Sequence, residues 1–108
     1  MYARFVSFVV KPNQIRKFCD EVSEIAHEVA MKRPGFVEHM IFVSEQEKRL
    51  VTVVSLWSTK TEADQYHEEI FPVALKKLTP LIDSGPILQY FTTIVSNSSH
   101  LASKGVAA

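Results

Sequence analysis

Residues 36–57 decide the fold, and they read FVEHMIFVSEQEKRLVTVVSLW. Two runs of β-branched and aromatic residues, Phe36–Val43 and Leu50–Trp57, flank the charged segment Ser44–Lys48. Such runs on either side of a short polar loop predict two antiparallel strands joined as a hairpin. Apolar residues occupy both alternating sets of positions in each run, so both faces of the sheet are predicted to be apolar.

The segments before the hairpin predict a strand and a helix. Tyr2–Val10 is rich in β-branched and aromatic residues and stops at Lys11-Pro12, where proline suits the first turn of a helix. From Gln14 to Met31, apolar residues recur three and four positions apart, as on the buried side of a helix. Pro34-Gly35 then ends this predicted helix.

The segments after the hairpin predict a second helix and a last strand. Thr59 and Glu62 have the spacing of a capping box, which opens a helix. Pro72 permits a kink or restart within it, and the last strand is predicted from Ile87 to about Val95. One domain therefore spans residues 1–95, and the small, polar residues 96–108 form a C-terminal tail.

The predicted order of elements is β-α-β-β-α-β, the ferredoxin-like arrangement of the α+β class, with a four-stranded antiparallel sheet. Two helices cover only one face of such a sheet. Because the other face is also apolar, we expect it to pack against the same face of a second copy, which predicts a homodimer.

The composition excludes several classes of partner. The chain has 108 residues with 12 Lys and Arg against 12 Asp and Glu, and this balance argues against nucleic-acid or membrane-surface binding, which needs a positive field. The apolar run Phe5–Val10 is too short to span a bilayer. The single cysteine, Cys19, fits a reducing compartment, and we expect a cytoplasmic protein.

The sequence lacks the motifs that hold phosphate groups or metal ions. Its three glycines, Gly35, Gly85 and Gly105, form no glycine-rich phosphate loop. Its four histidines are never three or four positions apart, so we expect no metal site. The third strand lacks the aromatic residues and glycine by which RNA-recognition domains of this element order bind RNA.

His39 is one candidate catalytic residue, because imidazole titrates near neutral pH. If the hairpin is symmetric about Gln46, His39 lies opposite Val53, on the face that also carries Ser55 and Trp57. A slip of one residue would reverse this assignment. His39 then either contacts a ligand or makes a hydrogen bond within the core or the dimer interface.

His67 is the other candidate. It follows Tyr66 on the apolar side of the second helix, where it meets the sheet as a catalytic group or is a partly buried structural histidine. Trp57 ends the third strand, and its indole N–H needs a partner whether the ring packs in the core or shapes a pocket.

Several short segments together resemble the antibiotic biosynthesis monooxygenase family. They are Lys11-Pro12 after the first strand, Arg33-Pro34-Gly35-Phe36 before the second, Trp57-Ser58 at the end of the third, Glu62-Ala63 and Tyr66-His67 in the second helix, and Leu78-Thr79-Pro80-Leu81. The likeness covers Tyr2 to Val95. It implies a dimeric α+β barrel, in which two sheets pack face to face and a cavity lies between each sheet and its helices.

The resemblance also implies an activity. Members include cofactor-independent oxygenases acting on small aromatic, quinol-like or polyketide-like compounds, and the leading hypothesis is such a monooxygenase, without metal, flavin or haem. His67 or His39 would then act as the base or anion-stabilising donor. Trp57 and Tyr90 would shape the substrate pocket, and Tyr66 would orient the substrate.

Two other hypotheses remain open. The barrel is a non-enzymatic ligand-binding or stress-related protein, which predicts a filled or closed cavity and His67 turned to solvent. Alternatively, it is an isomerase of a small keto compound that uses the same base without oxygen.

Overall fold

The computed structural model describes residues 1–94 and residue 97, so the predicted tail 96–108 lies outside the described residues apart from Asn97. The strands are β1 Tyr2–Val10, β2 Phe36–Val43, β3 Leu50–Trp57 and β4 Ile82–Thr92. The helices are α1 Ile15–Glu28, α2 Lys60–Glu69 and α3 Phe71–Leu78, and short 3-10 turns follow α1 at Ala30–Lys32 and α3 at Thr79–Leu81.

The four strands form one antiparallel sheet in the order β2-β3-β1-β4. This is the predicted ferredoxin-like α+β fold, and the bounds of β1, β2 and β3 agree with the prediction. The structure contains a single chain, so the dimeric barrel stays a prediction. No helix among the described residues is long and apolar enough to cross a membrane.

The hairpin register differs from the predicted one by two positions. His39 lies opposite Ser55, and Met40 lies opposite Val54. The register is centred on Glu47 rather than Gln46, since Val43 pairs with Val51. A shift of two positions keeps each side chain on its face, so the predicted face for His39 is correct.

The last strand begins at Ile82 rather than Ile87, which corrects the prediction. Gly85-Pro86 looks like a turn in the sequence, but it forms an irregular pairing with β1 between Ser7 and Val9. Gly85 has a positive φ of 106°, and a Cβ there would lie 2.8 Å from the Ser7 carbonyl oxygen. A glycine and an edge-strand proline therefore continue the strand past this point. The predicted end near Val95 lies outside the described residues.

The second predicted helix divides into α2 and α3. The Glu62 amide donates to the Thr59 hydroxyl at 3.3 Å, and that hydroxyl donates to the Glu62 carboxylate at 2.9 Å, so Thr59 caps α2 as predicted. The backbone breaks at Ile70, and Pro72 stands in the first turn of α3, where its missing N–H costs nothing. α1 ends at Glu28, short of the predicted Met31.

The core lies between the helices and one face of the sheet. Val6, Phe8 and Val10 alternate along β1 toward the helices and are almost completely buried. Phe18 and Val22 of α1 and Leu78 of α3 pack on them. The opposite, outer face carries half-exposed aromatic rings, with Phe42 53% and Phe91 48% exposed.

Candidate functional site

A pocket lies between the sheet and the three helices. Its volume is about 40 Å³, room for only a few water molecules. Nine of its lining side chains are apolar and three are polar. The polar ones are Arg4 of β1, His39 of β2 and Tyr66 of α2.

Arg4 is the charged group of this pocket. It points to the helix side of β1, as Val6 and Phe8 do, and is only 4% exposed. Its guanidinium carbon lies 4.4 Å from the centre of the Phe71 ring and 5.4 Å from that of Tyr66. These cation–π contacts offset part of the cost of burying a charge, which is several kcal/mol for an isolated ion.

Arg4 is incompletely paired. Its Nη2 donates to Nδ1 of His67 at 3.0 Å, whereas its buried Nε has no hydrogen-bond partner among the described residues. None of the salt bridges between described residues involves it. Burial lowers the pKa of the guanidinium, against the opposing effect of Tyr66 and Tyr90.

His67 is held in one protonation state by this contact. A guanidinium only donates hydrogen bonds, so Nδ1 of His67 accepts and the ring proton lies on Nε2. Burial and the charge of Arg4 lower the pKa of His67, while Asp64 and Glu68 oppose this. The ring also stacks on Phe71, with centroids 5.2 Å apart. His67 is therefore neutral and turned to the buried arginine rather than to solvent.

His39 lines the pocket from edge strand β2, on the same face of the sheet as Arg4, because both residues pair with Ser55 of β3. Burial lowers the pKa of its imidazole, and the neighbouring His27 lowers it further. A neutral imidazole in the wall of an apolar pocket can accept a proton from a bound molecule.

The aromatic candidates occupy three different positions. Tyr66 lines the pocket, and burial raises the pKa of its hydroxyl against the opposing charges of Arg4 and Arg33. Trp57 is fully buried behind it, with ring centroids 5.1 Å apart, and its indole N–H donates to the Ser55 hydroxyl at 3.0 Å.

Tyr90 lies outside the pocket lining. It stands on β4 opposite Arg4, is 38% exposed, and its hydroxyl lies 3.4 Å from Nδ1 of His67. The structure thus gathers Tyr66, His67 and Tyr90 around Arg4. His39 lines the same pocket, and Trp57 supports Tyr66 from behind.

Sequence reasoning missed Arg4, although a signal was present. Arg4 is the only charged residue of Tyr2–Val10, and it shares the parity of Val6, Phe8 and Val10. A single charge on the buried side of a strand marks a position with a specific role, because such a charge is costly.

A second pocket of about 120 Å³ lies between α1 and α3. Ile25 and Ala74 line both pockets and so separate them. A cavity of about 150 Å³ is the size that holds a benzene ring. Neither pocket alone reaches that size, and displacing the Ile25 side chain would join them.

The outer face of the sheet forms a wide, open concavity of about 590 Å³. Its described lining carries no charged side chain and consists of Ala3, Phe5, Met40, Phe42, Val54, Leu56, Gln89, Phe91, Thr92 and Thr93.

The described residues, 1–94 and 97, contain no metal-binding cluster. No three of their His, Cys, Asp or Glu side chains are grouped closely enough to hold a metal ion.

Comparison with solved structures identifies the fold. A protein of Caulobacter crescentus CB15, provisionally named an antibiotic biosynthesis monooxygenase, superposes with a TM-score of 0.76 over 87% of this chain and 90% of its own. The chain has the fold of the antibiotic biosynthesis monooxygenases. A Nitrosomonas europaea protein with the same provisional name gives a TM-score of 0.73 over 88% of this chain and all of its own.

The likeness to the antibiotic biosynthesis monooxygenases is one of fold. Sequence identity is 17% to the Caulobacter protein and 16% to the Nitrosomonas protein. A conserved protein of Methanosarcina mazei Go1 is equally similar, with 15% identity and a TM-score of 0.75 over 85% of this chain and 91% of its own. No protein-family model and no curated protein matches the sequence.

Proposed function

We propose that the protein is a cofactor-independent monooxygenase that oxidises a small, electron-rich phenol or enol in the pocket between the sheet and the helices. The observation that carries this proposal is the neutral imidazole of His39 in the wall of a small, mostly apolar pocket. The fold shared with proteins named as monooxygenases supports it.

The chemistry needs a base and a dry enclosure. His39 takes the proton of the substrate hydroxyl, and the resulting anion passes one electron to O2. The substrate radical and superoxide combine to form a carbon–oxygen bond, and loss of water from the hydroperoxide leaves a carbonyl group. In this sequence the CH2 carbon of the keto tautomer of the phenol or enol reacts with O2 to give C=O and H2O, so hydroquinone would give hydroxy-1,4-benzoquinone and water. Tyr66 orients the ring by contact from α2.

The size of the pocket favours a single-ring, quinol-like substrate over a polyketide. About 40 Å³ is too small even for one ring. Substrate entry therefore requires Ile25 to move and join this pocket to the neighbouring one between α1 and α3. A multi-ring compound would need a much larger separation of the helices.

We further propose that two copies pair through the outer face of the sheet. An uncharged apolar concavity offers a partner no charge to recognise, and a second copy presents the same apolar side chains in return. Covering the rings of Phe42 and Phe91 would remove the largest exposed apolar surface of the sheet.

Oxygen uptake tests the proposed activity. The protein is supplied with hydroquinone and with 1,8-dihydroxyanthrone, and O2 consumption is followed with an electrode. We expect uptake with hydroquinone and a rate at least about a hundredfold lower in His39→Gln, the lower end of what one general base contributes. Lys17→Gln, which removes an exposed charged side chain of α1, is the control and should keep the wild-type rate.

Two results would refute the oxygenase. One is no oxygen uptake above the buffer rate with either compound. The other is an unchanged rate in the double variant His39→Ala and His67→Ala.

The small volume of the pocket favours a second candidate, a ligand-binding protein without turnover. That hypothesis predicts a filled or closed cavity and a solvent-facing His67. The volume of about 40 Å³ favours it, whereas the contact of His67 with Arg4 argues against it. Ligand binding without any oxygen uptake would support it. Conversion of a keto compound under nitrogen would instead support an isomerase.

A further inference from the structure

Arg4 has no counter-ion within the described residues. Its guanidinium is buried, its Nε has no hydrogen-bond partner, and it takes part in none of the salt bridges between described residues. Proteins bury a charge where it is paired or where a ligand pairs with it, because an isolated charge in a low-dielectric interior is unfavourable.

The side chains around Arg4 do not neutralise it. Phe71 and Tyr66 contribute the faces of their rings, and His67 contributes the lone pair of a neutral nitrogen. These groups orient and partly solvate the guanidinium, but none carries a negative charge near neutral pH. They leave the charge in the wall of the pocket.

We infer that the pocket binds its ligand as an oxygen anion, with the guanidinium of Arg4 as the countercharge. The ligand carries a carboxylate or an ionised enol or phenol on a small planar body that contacts the apolar wall. The inference rests on the proposed function only in assigning the substrate to this same pocket.

The arrangement of Arg4 suits this role. Its Nη2 contact with His67 and its stacking on Phe71 fix the plane of the guanidinium before a ligand arrives. A preorganised donor gives more of its interaction energy to binding than a mobile one. His67 is in this view a positioning residue for Arg4.

Pairs of probes that differ in charge but not in shape test the inference on the wild-type protein. Benzoate is compared with benzamide, and the enolate of 1,3-cyclohexanedione with the neutral 3-aminocyclohex-2-enone, by isothermal titration calorimetry. Acetate and acetamide extend the series to a size closer to that of the closed pocket. We expect at least one anion to bind at least about tenfold more tightly than its neutral partner, because it gains a charge-assisted hydrogen bond.

Each outcome of these comparisons either supports the inference or overturns it. Preferential binding of benzoate or acetate identifies a carboxylate as the recognised group, and preferential binding of the enolate identifies a conjugated oxyanion. Equal binding of anion and neutral partner in all pairs, or no binding of any anion, overturns the inference.

Variants add a second test. Arg4→Met should weaken binding of the preferred anion about 10- to 100-fold and leave its neutral partner unaffected. Arg16→Met, which removes an exposed arginine of α1, is the matched control. Without ligand, Arg4→Met should unfold at a higher urea concentration than the wild type, since it replaces an unpaired buried charge by an apolar chain of similar length. Wild-type anion affinity in a folded Arg4→Met protein would also overturn the inference.

The test separates this inference from the proposed function. Anion binding with no oxygen uptake removes the oxygenase and leaves the anion site. Wild-type oxygen uptake in Arg4→Met would instead leave the oxygenase and remove the anion site.

Discussion

The half-buried imidazole of His39 is neutral in the folded protein near neutral pH, because burial lowers its pKa. The same holds for His67, whose ring also lies beside the charge of Arg4. In the unfolded chain both imidazoles regain a pKa of about 6.5. The unfolded state therefore binds more protons than the folded state in the range just below that value.

This difference predicts an acid-sensitive fold. Stability is complete above about pH 6.5 and falls as the pH drops through the folded-state pKa values of the two histidines. The urea midpoint of the wild type should therefore decrease between about pH 7.5 and pH 5.5, before the carboxylates titrate. His39→Gln should show a smaller decrease, while Lys17→Gln, which removes an exposed side chain of α1, should follow the wild type. Equal slopes for His39→Gln and the wild type would contradict the buried, neutral assignment of His39.

Which side chains meet in the pocket was only partly predictable. Alternation along β2 and β3 placed His39, Ser55 and Trp57 on one face, because a pleated strand fixes the face of each residue. Arg4 was missed because its strand is otherwise apolar and predicts simple core packing. The contact between Arg4 and His67 joins residues 63 positions apart, and no local pattern encodes such a distance.

At the scale of elements, α1 and α3 control access to the pocket. Ile25 of α1 and Ala74 of α3 stand between the two cavities. The helical backbone also breaks at Ile70, which separates α3 from the part of α2 that carries His67. His67 therefore lies on one side of this break and Ala74 on the other, while Phe71 at the start of α3 stacks on His67.

Ile25→Ala should enlarge the entrance. Oxygen uptake with a two-ring substrate, 1,4-dihydroxynaphthalene, should rise severalfold relative to uptake with hydroquinone, because the joined cavity admits a longer molecule. Ile25→Ala should lower the free energy of unfolding by about 1–2 kcal/mol. This loss is smaller than the roughly 2–5 kcal/mol typical of a fully buried isoleucine, because Ile25 is only half-buried.

Ile15→Ala is the control for this variant. Ile15 is also a half-buried residue of α1 that packs on the core, but it lines neither pocket. It should lose similar stability and keep the wild-type ratio of the two rates. The same ratio in both variants would show that Ile25 does not gate the site.

The bounds of helices and strands were predictable from the sequence where a periodic pattern of apolar residues begins or ends at a proline or a capping residue. β1 ends before Lys11-Pro12, and α2 begins at the Thr59 cap. The prediction failed at β4, because Ser84-Gly85-Pro86 has the composition of a turn and only pairing with β1 reveals it as strand. It also failed by two positions in the hairpin register, because the strand bounds alone do not determine which residue lies at the centre of the loop.

At the scale of the whole molecule, the outer sheet face is the largest feature left uncovered by the single chain. Half-exposed rings at both edges of the sheet, Phe42 on β2 and Phe91 on β4, frame a concavity without charged lining residues. Between them, the Ser7 and Thr52 hydroxyls bond to each other at 2.9 Å. This polar pair can be covered without leaving either group unpaired.

A charge placed on this face should prevent pairing. Light scattering at micromolar concentration should give the wild type about twice the chain mass of 12.2 kDa, and Phe42→Glu about the chain mass itself. Met31→Glu is the control, since Met31 is also a half-exposed apolar residue but lies in the turn after α1. A monomeric wild type would remove the proposed dimer.

The placement of Trp57 gives the protein a built-in optical reporter. It is the only tryptophan of the chain, it is shielded from water, and its ring contacts Tyr66, which in turn lines the pocket. Indole emission shifts to longer wavelength when water approaches the ring. A ligand that displaces Tyr66, or a movement that admits solvent behind it, therefore changes the fluorescence of the unlabelled protein, so the opening of the pocket can be timed directly in a stopped-flow experiment.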